Sequence, residues 1–122
     1  MKNAFLFFIA LFTCISIQVS GQTWSSPKRL TWTADYSKFP SITTDSGNNI
    51  HIVYSDKILG DWEIFYKDSS DGGTNWSGPA RLTWNADWST NPSIAKDSGS
   101  GMHVVWEDKT PGNYEIFYKN YK

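Results

Sequence analysis

Displaced by 52 residues, the chain superposes on itself without a gap. Trp24 falls on Trp76, "RLTW" at Arg29 to Trp32 on "RLTW" at Arg81 to Trp84, and "PSI" at Pro40 to Ile42 on "PSI" at Pro92 to Ile94. The same displacement lays Asp45-Ser46-Gly47 on Asp97-Ser98-Gly99, His51 on His103, Asp56-Lys57 on Asp108-Lys109, and "EIFYK" at Glu63 to Lys67 on its copy at Glu115 to Lys119. Of the 47 pairs from Trp24/Trp76 to Ser70/Lys122, 26 are identical, which excludes coincidence. Whatever structure one repeat adopts, the other adopts too, so the chain is a tandem rather than one irregular small domain. Identity between the copies follows from duplication alone and does not by itself mark a functional residue.

Within a repeat the apolar pattern alternates with period two. Pro40 to Thr44 reads as a short strand entered by proline, and Asp45-Ser46-Gly47-Asn48-Asn49 is dense turn chemistry. Ile50 to Ser55 reads as a strand with Ile50, Ile52 and Tyr54 on one face and His51, Val53 and Ser55 on the other. A turn around Gly60-Asp61 leads to a strand over Glu63 to Lys67, rich in β-branched and aromatic residues. Ser69 to Asn75 turns again into a fourth strand over Trp76 to Thr83, where Pro79 suits an edge. Four short antiparallel strands at a period near 50 residues are the pattern of β-propeller blades; a pair of sandwich sheets is the alternative. The absence of an apolar face at helical spacing excludes helical solenoids.

The N-terminus reads as a secretory signal peptide over residues 1–21: Lys2 supplies the positive start, Ala4 to Ile17 is almost wholly apolar, and Val19-Ser20-Gly21 offers small residues for cleavage near Gly21. This implies a secreted or cell-surface protein, with no membrane span. Cys14 is the only cysteine and lies in that leader, so no disulfide framework and no cysteine-ligated zinc is available to the exported part. Lys and Arg number 11 against 12 Asp and Glu, with no basic run, which argues against a nucleic-acid partner.

Ser69, Asp71, Gly73 and Trp76 fill the pattern Ser-x-Asp-x-Gly-x-x-Trp. Together with the flanking "PSI", "DSG", "EIFYK" and "WSGPARLT", the chain resembles the BNR or Asp-box repeats of sialidase-like β-propeller proteins over nearly all of its exported length. The resemblance implies an all-β fold of four-stranded antiparallel blades, two blade equivalents in this chain. It implies that the Asp box is a structural turn between third and fourth strands, away from the ligand face. The local chemistry agrees: Asp71 can accept amides of its own loop, Gly72 and Gly73 permit the turn, and Trp76 can cover it.

The repeat divides the chain at residues 22–75, an N-terminal strand plus a first blade repeat with its Asp box at 69–76, and 76–122, the first blade's fourth strand plus three strands of the second. "WSSPKRLT" at Trp24 matches "WSGPARLT" at Trp76, so eight strands are expected: the content of two whole blades, offset by one strand. Two blades do not close a propeller, which needs about four to eight. The chain therefore either self-associates into a closed ring, for example a trimer, or belongs to a longer propeller.

By the same resemblance, ligands sit on the loops joining fourth to first and second to third strands. Here those are Trp32 to Phe39 and Asp56 to Trp62, with counterparts Trp84 to Asn91 and Asp108 to Tyr114. Aromatic rings beside carboxylates suit sugars, whose C–H faces stack while hydroxyls hydrogen-bond. Tyr36, Trp88, Trp62 and Tyr114 are the candidate platforms; Asp35, Asp87, Asp56 and Asp108 are the candidate acceptors. A glycan is thus the expected ligand. Sialidase activity in the family needs an arginine triad, a Tyr activated by a Glu, and an acid Asp. Only Arg29 and Arg81 remain outside the leader, both in "RLT", so no catalytic residue is assigned, and no metal or cofactor is expected. A fragment of an exo-sialidase-type glycoside hydrolase and a purely structural repeat module are the alternatives. His51 and His103 each share a face with a valine and read as structural histidines bonded to a neighbouring strand.

Overall fold

The computed structural model describes residues 21–122; the signal peptide expected at the N-terminus, with Cys14, lies outside the described residues apart from Gly21. Seven antiparallel strands form two sheets, and no helix occurs among the described residues. The first sheet has four strands in sequential order: β1 (Ser37–Thr44), β2 (Ile50–Ile58), β3 (Asp61–Ser69) and the two-residue β4 (Ala80–Arg81). The second has three: β5 (Ser89–Lys96), β6 (Met102–Asp108) and β7 (Glu115–Tyr121).

The repeat reappears in backbone detail. In β1 the register slips between Lys38 and Ser41, and in β5 between Thr90 and Ser93, one extra residue on each first strand. Both bulges carry a non-glycine residue at positive φ, Phe39 at 55° and Asn91 at 55°, immediately before Pro40 and Pro92. Proline has no N–H to give the ladder, so the strand bows out at that point and the next residue resumes pairing. The hairpin between β2 and β3 closes tightly on Leu59 (φ 53°) and Gly60 (φ 98°), flanked by the pair Ile58 and Asp61. Its counterpart is wider, the last pair being Asp108 and Glu115, because Thr110-Pro111 stands where Ile58-Leu59 continues the first hairpin and Pro111 has no amide for the ladder.

The two sheets stack through unlike faces. From the first sheet Val53, Ile64 and Tyr66 meet Ile94, Val104 and Trp106 of the second, with Leu82 and Met102 filling the margin. By the repeat, Ile94, Val104 and Trp106 correspond to Ile42, Ile52 and Tyr54, which lie on the first sheet's other face. There Ile52, Tyr54 and Phe65 form a second cluster under Leu30, Ile58 and Trp76. Each sheet thus has a front and a back, and the contact is front to back. Fully burying a residue such as Val53 or Ile64 contributes roughly 1.5–3 kcal/mol.

One polar joint holds, along β3, the segment that leads from the first sheet to the second. Glu63 on β3 is fully buried and accepts from Arg81 Nη2 at 2.7 Å and from the Thr83 hydroxyl. Thr83 Oγ1 accepts the Ile64 amide at 2.9 Å, and the Leu82 amide donates to the Ile64 carbonyl at 2.7 Å. Arg81 to Thr83 is therefore held to β3 at the point where the chain leaves the first sheet. A smaller link joins the first strands, the Ile94 amide donating to Ser41 Oγ at 3.2 Å.

Two sequence expectations differ from this arrangement. Of the fourth strand expected over Trp76 to Thr83, Ala80 and Arg81 form the ladder with β3, and the Ser77 and Leu82 amides donate to the Asp68 and Ile64 carbonyls on either side, while Pro79 supplies no donor. The eighth strand expected over Trp24 to Thr31 does not form. That segment lies over a sheet face rather than along an edge: Leu30 packs on the second cluster, and Lys67 Nζ donates to the Leu30 carbonyl at 2.9 Å.

Two substitutions test these buried polar groups. Glu63→Ala leaves Arg81 and Thr83 without their acceptor and is expected to lower the unfolding free energy by about 3 kcal/mol, read from urea unfolding. Ser55 Oγ is buried without a hydrogen-bond partner, so Ser55→Ala is expected to raise stability by about 1 kcal/mol in the same assay.

Candidate functional site

At the end of the first sheet carrying the β2–β3 hairpin, the loop before β1 is tied to the end of β2 by the Lys57 amide donating to the Tyr36 carbonyl at 2.9 Å. The second sheet repeats the tie, the Lys109 amide donating to the Trp88 carbonyl at 2.9 Å. Tyr36 and Trp88 are thereby held at equivalent positions, 58% and 41% exposed. Each ring carries a lysine: Lys38 Nζ lies 5.1 Å and Lys57 Nζ 6.0 Å from the Tyr36 centroid, and Lys109 Nζ lies 5.7 Å from the Trp88 ring.

In the first repeat the expected residues gather around these cations. Asp35 pairs with Lys57 at 3.8 Å, Lys38 Nζ also lies 5.7 Å from the Trp62 ring, and Trp62 tilts against Phe39 at 6.4 Å between centroids. Phe39 is the bulge residue, so its positive φ aims an aromatic ring into this cluster. In the second repeat Asp87 accepts the Trp88 amide at 2.8 Å and Tyr114 is half exposed; Asn91 replaces Phe39 and bonds Glu107 at 3.4 Å. Among the described residues no hydrogen bond or ring contact joins the two clusters, and each repeat presents its own.

Asp56 and Asp108 lie beneath these clusters, buried and internally engaged. Asp56 accepts from Ser37 Oγ at 3.2 Å, and Ser37 in turn bonds Thr33. Asp108 takes Asn85 Nδ2, Ser89 Oγ at 2.9 Å, Trp106 Nε1 at 3.0 Å and the Thr110 amide at 2.9 Å. These two carboxylates anchor the loops from below and have no face toward a ligand. Burial pushes the Asp56 carboxyl above its ordinary pKa, against the bonds from Thr33 and Ser37. At Asp108 burial is again the largest influence, yet the bonds from Thr110, Trp106 and Ser89 together hold it below the ordinary value. Thr110 and Trp106 make the difference between the repeats, because Ile58 and Tyr54 occupy their places and give Asp56 no such side-chain bonds.

The Ser69 to Trp76 loop is bonded within itself at the other end of the sheet. Asp71 accepts from Ser69 Oγ at 2.8 Å, the Asn75 amide at 2.8 Å and Asn75 Nδ2 at 2.7 Å. Ser69 Oγ takes the Gly73 amide at 2.8 Å, and Trp76 Nε1 donates to the Gly73 carbonyl at 3.1 Å. Gly72 and Gly73 sit at φ 67° and 88°, and a Cβ on Gly72 would stand 2.7 Å from the Asn48 side chain. Asn75 and Ser69 hold the Asp71 pKa down at about 2. The turn at Asp45 is built alike: Oδ1 accepts the Gly47 and Asn49 amides, Oδ2 accepts Asn49 Nδ2 at 2.9 Å, and Asn49 leads in lowering its pKa to about 2.

A concavity of about 830 Å³ opens between the sheets near these turns, away from the aromatic loops. Several of its polar groups are already engaged. His51 Nδ1 lies 2.8 Å from the Tyr66 hydroxyl and its Nε2 3.5 Å from Asp45, while Lys119 Nζ donates to the Leu82 carbonyl at 2.8 Å. His103 repeats the first arrangement with Tyr118 at 2.8 Å and Asp97 at 3.2 Å. The cleft is the space left where two sheets diverge, and we place the candidate ligand surface on the loops instead. Among the described residues, no group of three or more His, Cys, Asp and Glu side chains is placed to hold a metal ion.

Lys38, Lys57, Lys109 and Phe39 belong to the site although sequence reasoning passed over them. Lys57 and Lys109 were visible as an identical pair beside Asp56 and Asp108; the role of Phe39 depends on a backbone angle that no residue pattern announces. Comparison with protein-family models, with curated proteins and with solved structures returned no match for the chain.

The Asp45 and Asp71 turns set an acid limit. Both carboxyls titrate lower in the folded chain than in the unfolded one, so their stabilisation is fully present above roughly pH 4 and is lost as pH falls through about 2. Melting temperature measured from pH 7 to 2 is expected to fall mainly between pH 4 and 2, and Asp71→Asn to start lower at pH 7 and fall less steeply.

Proposed function

We propose that the chain is a secreted, sialidase-like β-propeller module that binds glycan through its aromatic loops. The observation that carries the binding reading is the repeated platform: Tyr36 and Trp88, exposed, fixed by identical backbone ties and flanked by lysine and by Asp35 or Asp87. A preorganised ring loses little freedom when a sugar stacks on it, and neighbouring charged groups can take the hydroxyls. Trp62 and Tyr114 extend the two platforms. The two sheets are read as blade equivalents because they stack front to back by the same elements in the same order.

The reading as a binding module rather than a hydrolase is supported by the arginines. Arg81 is spent on Glu63, and Arg29 Nε donates to the Thr31 carbonyl at 2.7 Å while its guanidinium lies 5.7 Å from the Trp32 ring. Neither belongs to the loop clusters. The apolar leader ahead of Gly21 supports export.

A glycan array followed by titration of the best-bound sugar tests this. Tyr36→Ala and Trp88→Ala are each expected to weaken affinity roughly tenfold, the scale of one aromatic stacking contact. Unchanged affinity in both variants, or no array signal at all, overturns the proposal; release of sialic acid from a fluorogenic substrate would favour the hydrolase instead.

A further inference from the structure

The joint that holds Arg81 to Thr83 on β3 has an unused copy at each end of the described structure. On β3, Glu63 is covered and holds Arg81 and Thr83. On β7 its counterpart Glu115 is exposed, and among the described residues its carboxylate takes one hydrogen bond, from Asn113 within its own loop. Around it, Ile116 is 71% and Tyr118 57% exposed, whereas the equivalent Ile64 and Tyr66 pack against the second sheet. Val105, counterpart of the fully buried Val53, is exposed as well. The complementary half also exists. Arg29, Leu30 and Thr31 are the counterparts of Arg81, Leu82 and Thr83, and Arg29 already donates to the Thr31 carbonyl at 2.7 Å as Arg81 does to that of Thr83. The Arg29 guanidinium has no carboxylate partner among the described residues, and Ile42, counterpart of the buried Ile94, is 64% exposed.

Within one chain the two halves face opposite ways. Leu30 lies on the face of the first sheet turned away from the second, and Ile116 and Tyr118 lie on the face of the second turned away from the first. We propose that a second copy of this chain supplies each half: Arg29 to Thr31 of an incoming copy docks on β7, Arg29 to Glu115 and Thr31 to Glu115 and the Ile116 amide, as Arg81 to Thr83 docks on β3. Leu30 and Ile42 then cover Val105, Ile116 and Tyr118. The charges are complementary, and the contact continues the interface already formed between the sheets. Such a head-to-tail contact is heterologous and closes into a ring when its rotation fits. The pairing stands on the internal joint; only the count of copies rests on the propeller reading above, three copies giving six blade equivalents.

The test is sedimentation mass of the chain expressed with its own N-terminal segment and recovered in soluble form. The expected result is a discrete species at about three times the chain mass. Glu115→Arg is expected to drop it to the single-chain mass with the far-ultraviolet circular dichroism unchanged, and Arg29→Glu combined with Glu115→Arg to restore it. A single-chain mass at every concentration, an unchanged multiple in Glu115→Arg, or failure of the double variant to reassemble overturns the pairing. A multiple other than three that is lost and regained in this way upholds the pairing and counts against the propeller reading alone.

Discussion

The carboxylate of Glu63 fixes the segment that leads from the first sheet to the second. It is fully buried on β3, and its partners Arg81 and Thr83 come from the segment that carries the chain out of the first sheet. A buried carboxylate without partners is strongly disfavoured, so this one is stable only while that segment lies along β3. With the segment fixed, Leu82 enters the space between the sheets, and Ile94, Val104 and Trp106 follow onto Val53, Ile64 and Tyr66. The hydrophobic contact supplies most of the adhesion, and the polar joint decides where it happens.

Repetition lets each residue be compared with its twin in a different setting. Asp56 and Asp108 share a place in the fold, but Thr110 and Trp106 bond Asp108 where Ile58 and Tyr54 give Asp56 no such bonds, and their pKa values move in opposite directions. His51 and His103 make the same bonds to a tyrosine and an aspartate, the first buried beside the inter-sheet cleft, the second partly exposed. Sequence identity fixed the bonding pattern in both cases, and burial set the surroundings.

Much of this was legible in the residues. Period-two alternation located β2 and β3, and dense turn chemistry placed the Asp45 and Ser69 turns. The strands proved longer than the patterns suggested, because ladders extend past the last apolar residue until a proline or a tight turn stops them, as at Ile58 and Asp61. The residue pattern starts β1 at Pro40, yet it begins at Ser37, since a bulge at Phe39 lets the strand continue across the proline. The segment at Trp24 matched a strand in sequence and formed none, for a strand needs an edge to pair with and this one lies over a face. Of the site, the rings and carboxylates were visible in the loops, but not that Asp56 and Asp108 would be used from beneath. Depth below the surface comes from packing between sheets, which a linear pattern does not record.

Amide hydrogen exchange, resolved residue by residue, probes the joint most directly. The Ile64 and Leu82 amides, one bound by Thr83 and the other by the Ile64 carbonyl, are expected to exchange at the slow rate of the β2–β3 ladder and to speed up together when Glu63 is replaced. Rapid exchange at Leu82, matching the exposed stretch around Gly78 while β2 and β3 stay protected, would contradict the account, because the two sheets would then be joined by a loose tether and not by a fixed joint.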